Sequence, residues 1–96
     1  MTVKIIGLIK LVDPKAFDVY RSQVGSTVAL YGGSVQHRGM KAMMPWNELA
    51  CEDFDAFVEI EFPSQDHARR WAESPEYSAL LPIRAQAMRL TLFGVA

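Results

Sequence analysis

The chain has 96 residues, half of them hydrophobic, with ten basic and eleven acidic side chains and a formal net charge of −1. That length allows one domain, residues 1–96, with a real but small core. The charges are scattered without a concentrated basic patch, which speaks against a nucleic-acid partner: the nearest candidate, His67 to Arg70, is followed by Glu73 and Glu76 and reads as a solvated helix face. The single cysteine, Cys51, has no partner for an internal disulfide. The opening apolar run is interrupted by Lys4 and Lys10, lacks a small-residue cleavage site and is too short to span a bilayer. A soluble cytoplasmic protein without membrane contact is the expectation.

From Val3 to Leu11 the chain reads as a strand that is apolar on both faces, with Val3, Ile5, Gly7, Ile9 and Leu11 on one side and Ile6 and Leu8 on the other. Such a strand is central and covered twice. Asp13-Pro14 signals a helix start, the carboxylate serving as N-cap and the proline as first helical residue. Phe17, Tyr20, Val24 and Val28 form its buried stripe, and Gly32-Gly33 stops it. Ser34 to Met40 reads as a second strand. Lys41 to Asp55 shows no clean period and contains Pro45, which predicts a long connection with at most a helical turn.

Ala56 to Phe62 predicts the third strand, its Val58, Ile60 and Phe62 on one face and its Phe57, Glu59 and Glu61 on the other. Ser64 caps a second helix that turns Ala68, Trp71 and Ala72 inward. Ser74-Pro75 repeats the cap-then-proline signal for a short helix with Tyr77, Leu80 and Leu81, and Pro82 is expected to disturb its end. Met88 to Val95 predicts the fourth strand. The order β-α-β-β-α-β predicts an α+β fold: a four-stranded antiparallel sheet with the helices on one face and the first strand in the interior. The second face of that strand then needs a cover, and a second copy of the same sheet is the simplest one. A homodimer through the sheet face is therefore expected.

Five stretches carry a resemblance: Asp13 to Tyr20 ("DPKAF..Y"), Tyr31 to Gly33 ("YGG"), Arg38-Gly39, Glu61 to Ser64 ("EFPS") and Ser74 to Arg84 ("SPEYSALLPIR"). On these residues the chain resembles the DUF1330 family of the dimeric α+β barrel superfamily. The resemblance implies a ferredoxin-like fold whose sheet packs against a partner's sheet to close a barrel. It implies no activity, since the family is named for lacking an assigned one. The chain departs from the family's pattern in the longer connection around Trp46, and in Glu59, where the family usually carries an aliphatic residue.

Glu59 and Glu61 are the candidate catalytic residues. If Val58, Ile60 and Phe62 face the helices, both carboxylates face the dimer side, where an unpaired buried charge costs several kcal/mol. Arg38 and Arg84 are the candidate cations, because a guanidinium meets a carboxylate with two hydrogen bonds. Glu61 with Arg38 or Arg84 then forms either a structural ion pair near the dimer seam or a polar pocket, with a glutamate as general base and an arginine holding an anionic ligand. A third reading has Glu59 reaching solvent at a sheet edge. Trp46, with Met40, Met43 and Met44, forms an apolar group that either lids a pocket or packs against the partner.

Cys51 beside Glu52 and Asp53 is no activated thiol. His37 and His67 have no metal-like spacing, and neither a metal nor a cofactor is expected. His67 lies one turn before Trp71; relatives in the superfamily bind haem through a helix histidine, but next to Arg69 and Arg70 it reads as solvated. Two functions stand: a homodimer binding a small metabolite in a cleft at the dimer interface, or a cofactor-free monooxygenase, isomerase or decarboxylase acting on a small aromatic or oxygenated compound. The second rests on analogy of fold.

Overall fold

In the computed structural model, which describes residues Met1–Ala96, the apolar run at the start of the chain is strand β1 (Val3–Leu11). It is paired on both sides, antiparallel to β3 (Ala56–Phe62) and to β4 (Met88–Val95). Strand β2 (Ser34–Met40) adds to the far side of β3, and the sheet order is β2-β3-β1-β4. This is the expected ferredoxin-like arrangement with the first strand inside. Period-two alternation then sorts the side chains. Val3, Ile9, Ala56, Ile60, Phe62 and Met88 enter the core under the helices. Ile6, opposite Glu59 and Phe93, and Leu8, opposite Phe57 and Thr91, occupy the open face.

Helix α1 (Pro14–Leu30) starts as its sequence dictates: the Asp13 carboxylate accepts from the backbone N–H groups of Lys15 and Ala16. Its stripe of Ala16, Tyr20, Val24, Thr27 and Val28 is buried. The helix ends in a Schellman motif, with Gly33 N–H donating to the Val28 carbonyl and Gly32 N–H to the Ala29 carbonyl. Gly32 takes φ +79°, where a side chain would be strained.

The second crossover is three short helices where one helix and a short successor were expected. Helix α2 (Gln65–Ala72) is capped by Ser64, whose hydroxyl also shares a hydrogen bond of 2.7 Å with the His67 ring, so His67 is a half-buried cap partner. Ala68 and Trp71 point inward as expected, while Ala72 is exposed. Helix α3 (Pro75–Ser78) buries Tyr77. Pro82 does not simply end a helix: it sits in the first turn of α4 (Leu81–Ala87), where a proline costs nothing because that N–H has no helical acceptor. Leu80 is buried and Leu81 exposed.

Ser74 ties this crossover together. It is buried, its hydroxyl donates to the Trp71 carbonyl at 2.7 Å, and it accepts from the Tyr77 N–H at 3.1 Å. Ser74→Ala should therefore lower stability by about 1–2 kcal/mol, the usual loss for an N-cap, read as a shifted urea midpoint at unchanged slope. An unaltered midpoint would mean that Ser74 caps nothing of consequence.

Residues 41–55 form an arm without helix or strand. Its base is tied down by Lys41, 2.5 Å from Asp53, and by the Asp55 side chain accepting from Leu11 N–H. The Lys41 ammonium holds the Asp53 carboxyl below the usual carboxylate range. At the tip, Asn47 bonds both the N–H and the carbonyl of Cys51, and Ala50 takes φ 56° between them. A turn closed by an asparagine thus stands where at most a helical turn was expected.

Candidate site in the cavity between the first helix and the sheet

A β-bulge decides what faces this cavity. In β2, Val35 pairs with Ile60 but His37 pairs with the next residue, Glu59, so Gln36 is an extra residue. Without it, Arg38 would share the open face with the glutamates. With it, His37 lies opposite Glu59 on the open face and Arg38 lies opposite Val58 on the helix side. Arg84, on α4, is on the helix side as well, and its guanidinium donates to the Tyr77 hydroxyl at 3.0 Å. The expected pairing of Glu61 with Arg38 or Arg84 is therefore absent, because carboxylates and guanidinia lie on opposite faces of the sheet. Glu59 instead meets Lys4 at 3.4 Å, and Glu61 lies opposite Lys4 in the register.

Between α1 and the helix-facing side of the sheet lies a cavity of about 210 Å³. Of the seventeen residues lining it fourteen are hydrophobic, and the other three are Arg21, Arg38 and Gly39. No aspartate, glutamate or histidine reaches it. Helix α1 contributes Phe17, Tyr20 and Val24 from its buried stripe, and the floor is laid by Ile9, Ile60, Leu90 and Leu92 of the sheet. Trp71 forms part of the wall, 2 % exposed, with its indole N–H donating to Thr27 Oγ1 at 3.1 Å.

Tyr20, one of the lining residues, also carries a buried hydroxyl. It is 8 % exposed, and its hydroxyl lies 2.8 Å from that of Tyr77, which in turn accepts from Arg84. Burial, and then the neighbouring Tyr77, push the Tyr20 hydroxyl well above the usual tyrosine range; the opposing charges of Arg84 and Arg38 are too weak to reverse this. Tyr20 therefore stays protonated across the ordinary pH range. Sequence reasoning placed Tyr20 and Tyr77 in buried stripes without a further role. The available signal was chemical: a buried tyrosine hydroxyl needs a partner, and each was the only hydroxyl-bearing aromatic in its stripe.

Trp46 is not brought to either arginine. It is 81 % exposed on the arm, and with Met44, Leu49 and Cys51 it borders only a shallow surface hollow. Met40 alone of its expected group lines the cavity. No group of three or more His, Cys, Asp or Glu side chains is placed to hold a metal ion, and no helix is long and apolar enough to cross a membrane.

Three of the sequence stretches singled out above meet here: Tyr20 from the first, Arg38-Gly39, and Tyr77 with Arg84 from the last. The model of a family described as a domain of unknown function, DUF1330, matches residues 2–96. No protein with a curated description matches the chain. Among solved structures, the RPA0582 protein of unknown function from Rhodopseudomonas palustris is 20 % identical with a TM-score of 0.77, over 98 % of this chain and 80 % of that one. A dimeric ferredoxin-like protein of unknown function from Thermobifida fusca is 19 % identical with a TM-score of 0.65, over 100 % and 91 % of the two chains. SnoaB, a cofactor-independent oxygenase from Streptomyces nogalater, is 10 % identical with a TM-score of 0.72, over 99 % and 91 %. At such identities the likeness establishes the fold.

Proposed function

The chain belongs to the DUF1330 family, and from that premise we propose that it is a homodimeric binding protein, each protomer holding one small, largely apolar molecule in the cavity between α1 and the sheet. The cavity carries this reading. A dry apolar cavity of about 150 Å³ is enough for benzene, so 210 Å³ accommodates one substituted ring. The ligand then sits inside each protomer, on the side of the sheet away from the partner, and not in a cleft between protomers.

The dimer rests on the open face. Ile6 and Leu8, at the middle of the central strand, lie there beside Phe57 and Phe93, and no element of the chain covers them. A second copy of the same face supplies the cover that an apolar centre with a charged margin of Lys4, Lys10 and Arg89 calls for, the one carboxylate beside Ile6, Glu59, being paired with Lys4. The Thermobifida fusca relative, described as dimeric, supports it.

A cofactor-free enzyme acting on a small aromatic or oxygenated compound in the same cavity is the second reading, supported by the fold shared with SnoaB. The cavity wall favours binding over proton abstraction. It holds no carboxylate or imidazole, and Glu59 and Glu61 point to the other face.

Titration with toluene, followed by amide chemical shifts, tests the cavity. Saturable shifts are expected at α1 and at the cavity floor. Ala56→Leu, which extends a lining residue into the space, should abolish them. Glu59→Gln and Glu61→Gln should leave them unchanged, since neither residue lines the cavity. A wild-type protein with no saturable shift overturns the reading.

A further inference from the structure

Arg38 is the one arginine of six with no hydrogen bond or ion pair to the rest of the chain. Arg21 is held by Asp18, Arg69 and Arg70 by Asp66, Arg89 by Glu52, and Arg84 by the Tyr77 hydroxyl. This free guanidinium, on an exposed residue, lies at the wall of a mostly apolar cavity whose other charged lining residue, Arg21, is already paired with Asp18; the bulge at Gln36 puts it there.

Beside the two arginines, Tyr20 is a lining residue with a polar side-chain atom. Arg84 donates to the Tyr77 oxygen, so the Tyr77 proton points elsewhere, and the one hydroxyl within reach is Tyr20 at 2.8 Å. A cationic donor on its oxygen makes Tyr77 the better donor of the pair. The chain of bonds therefore runs from Arg84 to Tyr77 to Tyr20. The Tyr20 proton is left without an acceptor in the protein, at a residue more than nine-tenths buried that lines the cavity. Leaving a buried donor unmet is unfavourable, so an acceptor brought by a ligand is strongly rewarded.

Building on the cavity reading, we infer that the ligand is a small aromatic or alicyclic carboxylate, its apolar body against α1 and the sheet and its carboxylate between the Arg38 guanidinium and the Tyr20 hydroxyl. The two groups divide the recognition. Tyr20 selects for an acceptor oxygen of any charge, and Arg38 selects for the negative charge. Tyr77 and Arg84 are positioning residues, which act by directing the Tyr20 proton into the cavity.

Three probes that share a tolyl ring, two of them near-isosteric, separate these contributions: toluene, 4-methylbenzamide and 4-methylbenzoate, each titrated into the protein at pH 7 by calorimetry or chemical shift. The wild type should bind the carboxylate at least about tenfold more tightly than the amide, the ordinary worth of a charge-assisted hydrogen bond. Arg38→Met should erase that advantage and leave amide and toluene binding unchanged. Tyr20→Phe should weaken amide and carboxylate together but not toluene. Tyr77→Phe, which leaves Tyr20 its proton but removes the polarising bond, should weaken amide and carboxylate together by less than Tyr20→Phe does, whereas a merely structural loss would weaken toluene as well. If toluene binds but the carboxylate gains nothing over the amide, the ligand class is overturned while the cavity reading stands. If none of the three binds, both fall.

Discussion

Leu8→Asp is expected to leave the chain folded and to make it a monomer at micromolar concentration. Leu8 sits at the centre of the open face, with Phe57 and Thr91 as cross-strand neighbours. In a lone protomer it is only half-buried, so an aspartate there reaches water and the core beneath the helices is untouched. In a face-to-face dimer, two carboxylates related by the symmetry axis enter an apolar seam, and an uncompensated buried charge costs about 3–5 kcal/mol. That is a loss of more than a hundredfold in association. Ile6→Asp, one step along the same face, should behave alike. Sedimentation at graded concentrations reads the result. Dimers that persist in both variants mean that this face is not the interface.

The largest loss of stability is expected for Trp71→Ala. The indole packs at a tilt against the Tyr77 ring, centroids 4.4 Å apart, and against that of Phe62 at 5.5 Å, and its N–H meets Thr27 Oγ1. It thus joins α1, α2, α3 and β3. Removing a buried tryptophan costs about 3–5 kcal/mol, a large share of the roughly 5–15 kcal/mol that holds such a domain together. Thr27 loses its donor but keeps its own bond to the Val24 carbonyl, so no buried hydroxyl is stranded. Chemical denaturation should show a midpoint lowered accordingly. Trp71→Phe, which refills most of the space, should fall between the two. Because Trp71 also lines the cavity, the alanine variant enlarges it, and a midpoint raised by toluene in that variant would locate the space opened.

Much of the fold was legible because its signals are local. Asp13-Pro14, Ser64 and Ser74-Pro75 cap helices through bonds to N–H groups two or three residues away, and Gly32 terminates α1 through its own φ. Period two separated Val58, Ile60 and Phe62 from Glu59 and Glu61, and apolar residues on both faces of Val3–Leu11 marked the central strand. Pro82 was ambiguous by nature. Within the chain alone it reads as a breaker, and only the turn begun at Leu80 makes it a first-turn residue of α4.

The site lay beyond such signals. Arg38 was expected beside the glutamates because a regular strand puts it there, and one extra residue at Gln36 turns it to the opposite face. A bulge has no composition of its own, since it is set by how β2 docks on β3. Tyr20 is far in the chain from Tyr77 and Arg84, and meets them only when α3 and α4 fold against α1. The order of strands, the caps and the two-faced first strand thus follow from the sequence by itself, since each rests on steric and hydrogen-bonding preferences within a few residues. Which arginine is left free, and that it faces a cavity instead of a carboxylate, was decided by the tertiary structure, because register and helix docking are set by the packing of the whole sheet.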